Sequence, residues 1–315
     1  MKIVFFGSAH FAVPALEALI KSKYKLVCVV TQPDKKRGRH LHISGTDIKS
    51  TAVAAGLKIF QPENIKSKES VDLLKDLDAD LFVIVAYGQI LSQEVLDIPK
   101  IMPINIHASL LPRYRGAAPI NWAIINAEKK AGVSIMYVSL KMDSGPVILQ
   151  KELKIEDSDT AVTLEEKLRY LGAELLMDAL EIIDNRSYRL LEQDEDKVIL
   201  APKLKKEDGL IDWDAPAAAI HNQVRGVLPW PGAFTGFRGR LLKIFETDVL
   251  AVFPNHKPVP GEVLKADKHG IIVACGRGFL SLKELQLEAG RRMPAQNFII
   301  GHELQAGEIL GKFNL

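Results

Sequence analysis

Five short runs, apolar at nearly every position, constrain this chain more than anything else in it. They are KIVFF from Lys2, KLVCVV from Lys25, DLFVIVAYG from Asp80, IMPIN from Ile101 and GVSIMYVS from Gly132. Strand side chains point alternately to two faces, so a strand is apolar throughout only where both faces are covered. The intervening segments supply the covers. Apolar residues at helical spacing predict helices over Phe11–Ile20, Asp47–Ala55, Glu69–Leu77, Ala118–Ala127 and Thr160–Ile183. Thr160 is placed to start the last of these, with Thr163 and Glu166 at the spacing of a capping box. VILQKELKI from Val147 adds a strand. The expectation is an α/β domain on a mostly parallel sheet with helices on both faces.

The pattern changes after residue 188. Arg189 to Asp208 is polar and lacks a sustained apolar face, which predicts a linker over 189–208 between domains at 1–188 and 209–315. A chain of 315 residues is long enough for two domains of ordinary size. Beyond a short helix over Pro216–Val224 come LLKIFETDVLAV, GEVLKAD, GIIVACG and GFLSLKELQL. Short strands at regular spacing with glycine turns predict a small β-barrel.

No apolar run approaches the roughly 18 residues that span a bilayer, so no membrane partner is expected. The opening MKIVFFGSAHFAVPALEALI is broken early by Gly7, Ser8 and His10, and reads as strand, turn and helix instead of a signal peptide. Cys28 and Cys275 fall in different domains, which suits reduced, packed thiols and a cytoplasmic protein. No cysteine or histidine spacing marks a metal site; His40 and His42 are a loop pair without further ligands. No strongly apolar exposed helix advertises a partner, and a monomer is expected.

The segment INIHASLLPRYRGAAPINWA from Ile104 and the turn DSGP from Asp143 carry the chemistry. Asn105 and His107, two apart on a strand, project from one face near its carboxyl end, where open α/β sheets bind ligands. An amide and an imidazole can donate to a developing oxyanion, and a carboxylate can hold the ring or take a proton. The alternative is a structural histidine beside an ordinary Asp-Ser-Gly turn.

HASLLPRYRG, with an asparagine two residues before the histidine and an Asp-x-Gly turn downstream, resembles the formyltetrahydrofolate-dependent formyltransferases. KEDGLIDW, AAAIHNQVRGVLPWPGAF and GRRMPAQNFIIG look like the members that formylate methionine carried by initiator tRNA. The resemblance covers nearly the whole chain. It implies a Rossmann-like domain followed by an OB-like barrel, 10-formyltetrahydrofolate as formyl donor, initiator Met-tRNA as acceptor and no metal. It implies Asn105, His107 and Asp143 as the catalytic trio. It also implies donor contacts at Val85, Ala86, Tyr87 and Gly88 and at Ser109, Leu110, Leu111 and Pro112. In the loop TQPDKKRGRHLHISG, Gly38 and Arg39 match a tRNA-contacting loop, although RGRHLHISG replaces the commonest family pattern. After Asp143, SGPVI stands where many members have a TGDML-like form.

A net charge of +2 means that any affinity for a polyanion must be local. Three basic islands are candidates for tRNA phosphates: Lys35, Lys36, Arg37 and Arg39; Lys203, Lys205 and Lys206; and Arg291 with Arg292. Arg113 and Arg115 stay open between solvated loop charges and contacts to the folate tail or tRNA. Within the family the other reading is a formyltransferase acting on an amino-sugar nucleotide. Outside it stand a nicotinamide-dependent dehydrogenase, weakened because FFGSAHFAV lacks the three-glycine fingerprint, and a non-catalytic RNA-binding protein.

Overall fold

The computed structural model describes residues 1–37, 42–251 and 258–311. Its chain clusters into two compact units. One comprises Met1–Pro119, Lys130–Lys154 and Glu165–Ala201; the other comprises Ile120–Lys129, Ile155–Leu164 and Pro202–Leu315.

The first unit is built on a seven-stranded sheet of β1 (Lys2–Gly7), β2 (Lys25–Val30), β5 (Ile59–Phe60), β6 (Leu81–Val85), β7 (Met102–His107), β9 (Lys130–Tyr137) and β10 (Val147–Lys154). Their order across the sheet is β10-β9-β7-β6-β1-β2-β5. The five strands from β7 to β5 pair in parallel, whereas β9 runs antiparallel to both β7 and β10. Four of the five apolar runs are the parallel strands β1, β2, β6 and β7, and the fifth is the antiparallel β9; β1 and β6 are buried almost throughout. β10 at the edge is exposed over much of its length, as an antiparallel edge strand can be.

Helices α1 (Val13–Ile20), α2 (Asp47–Ala54), α3 (Lys68–Asp76), α4 (Gln93–Leu96), α5 (Pro119–Ile125) and α6 (Ala161–Asp184) fall close to the predicted spans, except the short α4, which carries too few residues to show a period. Thr160 and Thr163 cap α6 reciprocally, each backbone N–H donating to the other's hydroxyl at 3.0 and 3.2 Å. Threonine therefore takes the place that glutamate holds in the usual capping box. Within the basic loop, β3 (Lys35–Arg37) pairs antiparallel with β4 (His42–Ser44).

Residues 189–201, expected as part of a linker, are tied into the first unit by polar backbone groups instead of apolar burial. Val147 and Leu191 exchange backbone hydrogen bonds of 2.8 and 2.9 Å. β11 (Leu200–Ala201) pairs in parallel with β8 (Arg115–Gly116).

The second unit is an antiparallel sheet of β12 (Ala233–Phe237), β13 (Arg240–Leu250), β16 (Phe279–Leu287), β15 (Gly270–Ala274) and β14 (Val263–Asp267), with β17 (Met293–Pro294) paired to β16. Bridges from Gly236 to Gly311 and from Glu262 to Ile309 join the two sheet edges through one short segment. The expected barrel is closed in this way. α7 (Ala217–Gly226) and α8 (Ala295–His302) pack on it. Trp213, Phe237, Leu285 and Phe298 are buried in its core, where the Trp213 indole N–H donates to the Thr235 hydroxyl at 3.0 Å.

Candidate active site

β6 and β7 lie side by side, so the residues following Val85 and those ending β7 share the carboxyl edge of the sheet. Asn105 and His107 occupy alternate positions of β7, with Asn105 half-buried and His107 buried. His107 Nε2 lies 2.9 Å from the Tyr114 carbonyl oxygen. A carbonyl only accepts, so that nitrogen carries the proton. Nδ1 then faces Asp143, whose Oδ2 stands 3.7 Å away. This is within ion-pair range but beyond a hydrogen bond. Asp143 Oδ2 also accepts the Gly116 N–H at 2.9 Å. The Asn105 carboxamide makes no hydrogen bond among the described residues, so its donors are available to a ligand.

Three residues beside these groups hold left-handed backbone without being glycine: Ala86 at φ +45°, Tyr114 at +62° and Asp143 at +49°. Such conformations need support from their surroundings and tend to cluster at functional sites. For Asp143 the support is visible. Ser144 donates its hydroxyl to the Lys141 carbonyl at 2.9 Å. Gly145 lies so close to the Tyr137 backbone that no β-carbon would fit.

Of the residues expected to contact the folate, Ala86 and Gly88 are exposed, but the Val85 and Tyr87 side chains are turned inward. The Tyr87 ring packs in the core edge-on to Phe6 at 5.5 Å, and burial pushes its phenol well above the ordinary range. At these two positions no side chain is directed outward to a ligand. Tyr87 O itself accepts from Gln32 Nε2 at 3.1 Å, against which a side chain at Gly88 would collide.

The Ser109–Pro112 segment is held by residues that sequence reasoning missed. Ser134 Oγ donates to Ser109 O at 2.6 Å and accepts the Leu111 N–H at 3.1 Å. Gln150 Nε2 donates to Leu111 O at 2.9 Å and to Ser134 Oγ at 2.8 Å. Ser109 Oγ is spent on the Arg113 carbonyl at 2.6 Å. Leu111 is buried with Met136 and Val147, Leu110 packs on Gly132, and Pro112 is half-buried after a cis peptide bond. Arg113 is exposed above the Tyr114 ring. Arg115 is neither a solvated loop charge nor open to a ligand. It is 4% exposed and bonded to Gln193 and Glu195.

Among the basic islands, Lys35 is exposed and bonds to Gln32 Oε1 at 2.8 Å. The side chains of Lys36 and Arg37, and Gly38 and Arg39 entirely, lie outside the described residues. Lys203, Lys205 and Lys206 are exposed and carry no ion pair among the described residues. Arg291 is exposed; Arg292 pairs with Glu284 and stacks over the Phe245 ring at 4.3 Å. A cavity of about 1150 Å³ in the second unit, lined by His221, Arg225 and Phe245 among others, includes none of the trio. Cys28 and Cys275 are buried, which pushes their thiols up to about 11 and about 12. Among the described residues no three His, Cys, Asp or Glu side chains are grouped to hold a metal, and no helix is long and apolar enough to cross a membrane.

Residues 1–180 match the model of the formyl transferase family, and residues 203–303 that of the formyl transferase C-terminal domain. A methionyl-tRNA formyltransferase from Acetivibrio thermocellus is 44% identical over 312 residues, covering 99% of this chain and 100% of that one. One from Caldanaerobacter subterraneus is 43% identical over 311 residues, covering 98% and 100%. An N-formyltransferase from Helicobacter canadensis, solved with folinic acid and dTDP-3-aminofucose, superposes with a TM-score of 0.67 at 19% identity, covering 93% of this chain and 100% of that one. This last likeness concerns the fold alone.

Proposed function

The chain belongs to the formyl transferase family, and from that premise we propose that it moves a formyl group from N10 of 10-formyltetrahydrofolate to the α-amine of methionine esterified to initiator tRNA. Full-length identity of 40–44% to methionyl-tRNA formyltransferases supports this acceptor over an amino-sugar nucleotide. The observation that supports the reading is His107 held between Tyr114 O and Asp143 at the sheet's carboxyl edge, on the same strand face as Asn105, whose amide is unpartnered among the described residues.

An α-amine titrates at about 7.7–8.0 in model peptides, and esterification lowers it, so much of the nucleophile is free base near neutrality. The harder tasks are holding the oxyanion and moving protons. Asn105 Nδ2 donates to the formyl oxygen as it becomes an oxyanion. His107, held by Tyr114 O through Nε2, offers an Nδ1 proton that Asp143 stabilises without consuming. Asp143 Oδ1, which has no hydrogen bond among the described residues, receives the amine proton directly or through water. The new N–C bond forms, the N10–C bond breaks, and the amine proton taken by Asp143 passes to N10, leaving tetrahydrofolate. The exposed Lys203, Lys205 and Lys206, with Lys35 and Arg291, are the phosphate contacts of this scheme, and the cytoplasm is its compartment.

The deciding assay supplies 10-formyltetrahydrofolate with Met-tRNA, free methionine, an amino-sugar nucleotide or no acceptor. Formyl transfer to Met-tRNA alone is expected. Preferential transfer to the sugar nucleotide, or donor hydrolysis unaffected by acceptor, would overturn the proposal.

A further inference from the structure

Gln193 sits in the polar stretch following α6, fifty residues from the turn that carries Asp143. Its amide nitrogen donates to the Asp143 carbonyl at 2.9 Å and to the Gly145 carbonyl at 2.6 Å. Its amide oxygen accepts the Arg115 Nε–H at 2.9 Å. Arg115 Nη2 bonds to Glu195 Oε1 at 2.8 Å, and Lys141 Nζ meets the other Glu195 oxygen at 3.0 Å. These two cations hold the Glu195 carboxyl down at about 2. Gly116, next to Arg115, donates its N–H to the Asp143 carboxylate.

The arrangement is a closed frame. One amide grips both ends of the Asp143–Gly145 turn, the buried Arg115 fixes that amide, and the strand carrying Arg115 holds the Asp143 carboxylate itself. An amide meeting two carbonyls can satisfy them only with its nitrogen, so the orientation of Gln193 is determined. Without that clamp, a left-handed non-glycine backbone such as that of Asp143 relaxes more readily. Core packing does not explain these contacts, because Gln193 lies in a segment with little apolar burial and bonds to the turn through polar atoms alone.

We propose that Gln193, oriented by Arg115, is a positioning residue that sets the carboxylate of Asp143 against His107 for formyl transfer. The inference rests on the catalytic reading of Asp143, and the experiment keeps the two apart. It is a double-mutant cycle of Gln193→Met, which keeps the length and removes both donors, with Asp143→Asn. In the wild-type background Gln193→Met lowers kcat about tenfold to a hundredfold, the range for a slightly misplaced reacting group, with KM for donor and tRNA within about twofold. In the Asp143→Asn background the same change has almost no further effect, because the group it positions is already disabled.

Equal losses of kcat in both backgrounds would make Gln193 a general structural residue and overturn the proposal. So would wild-type turnover in Gln193→Met alongside an impaired Asp143→Asn. Full turnover in Asp143→Asn would instead sink the catalytic reading beneath it. If thermal melting shows Gln193→Met unfolded, Gln193→Asn, which keeps the amide but cannot reach both carbonyls, enters the same cycle with the same expected and overturning outcomes.

Discussion

The carboxyl edge of the first unit's sheet and the interior of the second unit's barrel are held in shape by different forces. At the edge, Ser134, Gln150, Gln193 and Arg115 reach backbone atoms or one another through polar groups with fixed directions. In the barrel, Phe298, Phe237, Leu285 and their neighbours exclude water with little regard to orientation. Hydrogen bonds add little net stability each, but they specify angles. Apolar burial adds far more stability and tolerates small shifts. A site that must place a carboxylate beside an imidazole therefore belongs on the polar edge, and a domain proposed to offer a surface to tRNA can rest on packing.

The sharpest way to break this contrast is Phe298→Ala. Removing a fully buried ring from the barrel core should destabilise the second unit by about 3–5 kcal/mol in denaturant unfolding. Affinity for the folate donor, measured by calorimetry, should stay unchanged; an equal loss there would show that the two regions are not independent. The counterpart at the edge is Asn105→Ala or His107→Ala. Each should cost about 2.7–4 kcal/mol of barrier, at least a hundredfold in turnover, with thermal stability nearly kept. Near-wild-type turnover with chemistry rate-limiting would remove that residue from the mechanism.

Smaller effects sharpen the picture of the barrel. Replacing Lys203, Lys205 and Lys206 with alanine should weaken Met-tRNA binding and flatten its salt dependence by about 0.7–0.9 in log–log slope per lost phosphate contact. An unchanged slope would mean that these lysines touch no phosphate. The smallest effect concerns His221, whose Nδ1 lies 2.9 Å from the Thr247 hydroxyl. Burial first, and Arg225 second, push its pKa below the ordinary 6.5. The unfolded chain then binds the proton more readily than the folded one. The contribution of neutral His221 should be in full above pH 6.5 and fade as pH falls from there toward the lowered value. His221→Asn should remove that component from the pH dependence of unfolding; an identical profile would reject it.

The sheet was legible because covering both faces leaves a mark at every strand position. A period of two puts Asn105 and His107 on one face of β7, as the structure has them, whereas Asp143 opens an ordinary Asp-Ser-Gly turn and only the family resemblance singled it out. Arg115 was not legible. In RYRG it looks like any loop charge, and its burial is tolerable only because Gln193 and the Glu195 carboxylate, about eighty residues away, meet it. Gln193, Ser134 and Gln150 act through side-chain bonds to backbone atoms distant in sequence, which leave no period to read. The inward turn of Tyr87 was likewise hidden, since a tyrosine near a loop has uses both in the core and at a ligand. Helix α8 follows β17 directly and is too short to stand out against the strand pattern around it.

The distance along the chain from Asp143 to Gln193 has a consequence for synthesis. All three groups of the proposed trio have been polymerised by residue 143, yet Gln193, the proposed clamp on the last of them, arrives fifty residues later. At ordinary elongation rates of about 5–20 residues per second, that gap lasts about 3–10 s. A nascent chain halted within it would display the sheet without a finished catalyst, so ribosome-tethered chains should acquire donor-processing competence only once the segment beyond α6 has emerged from the exit tunnel.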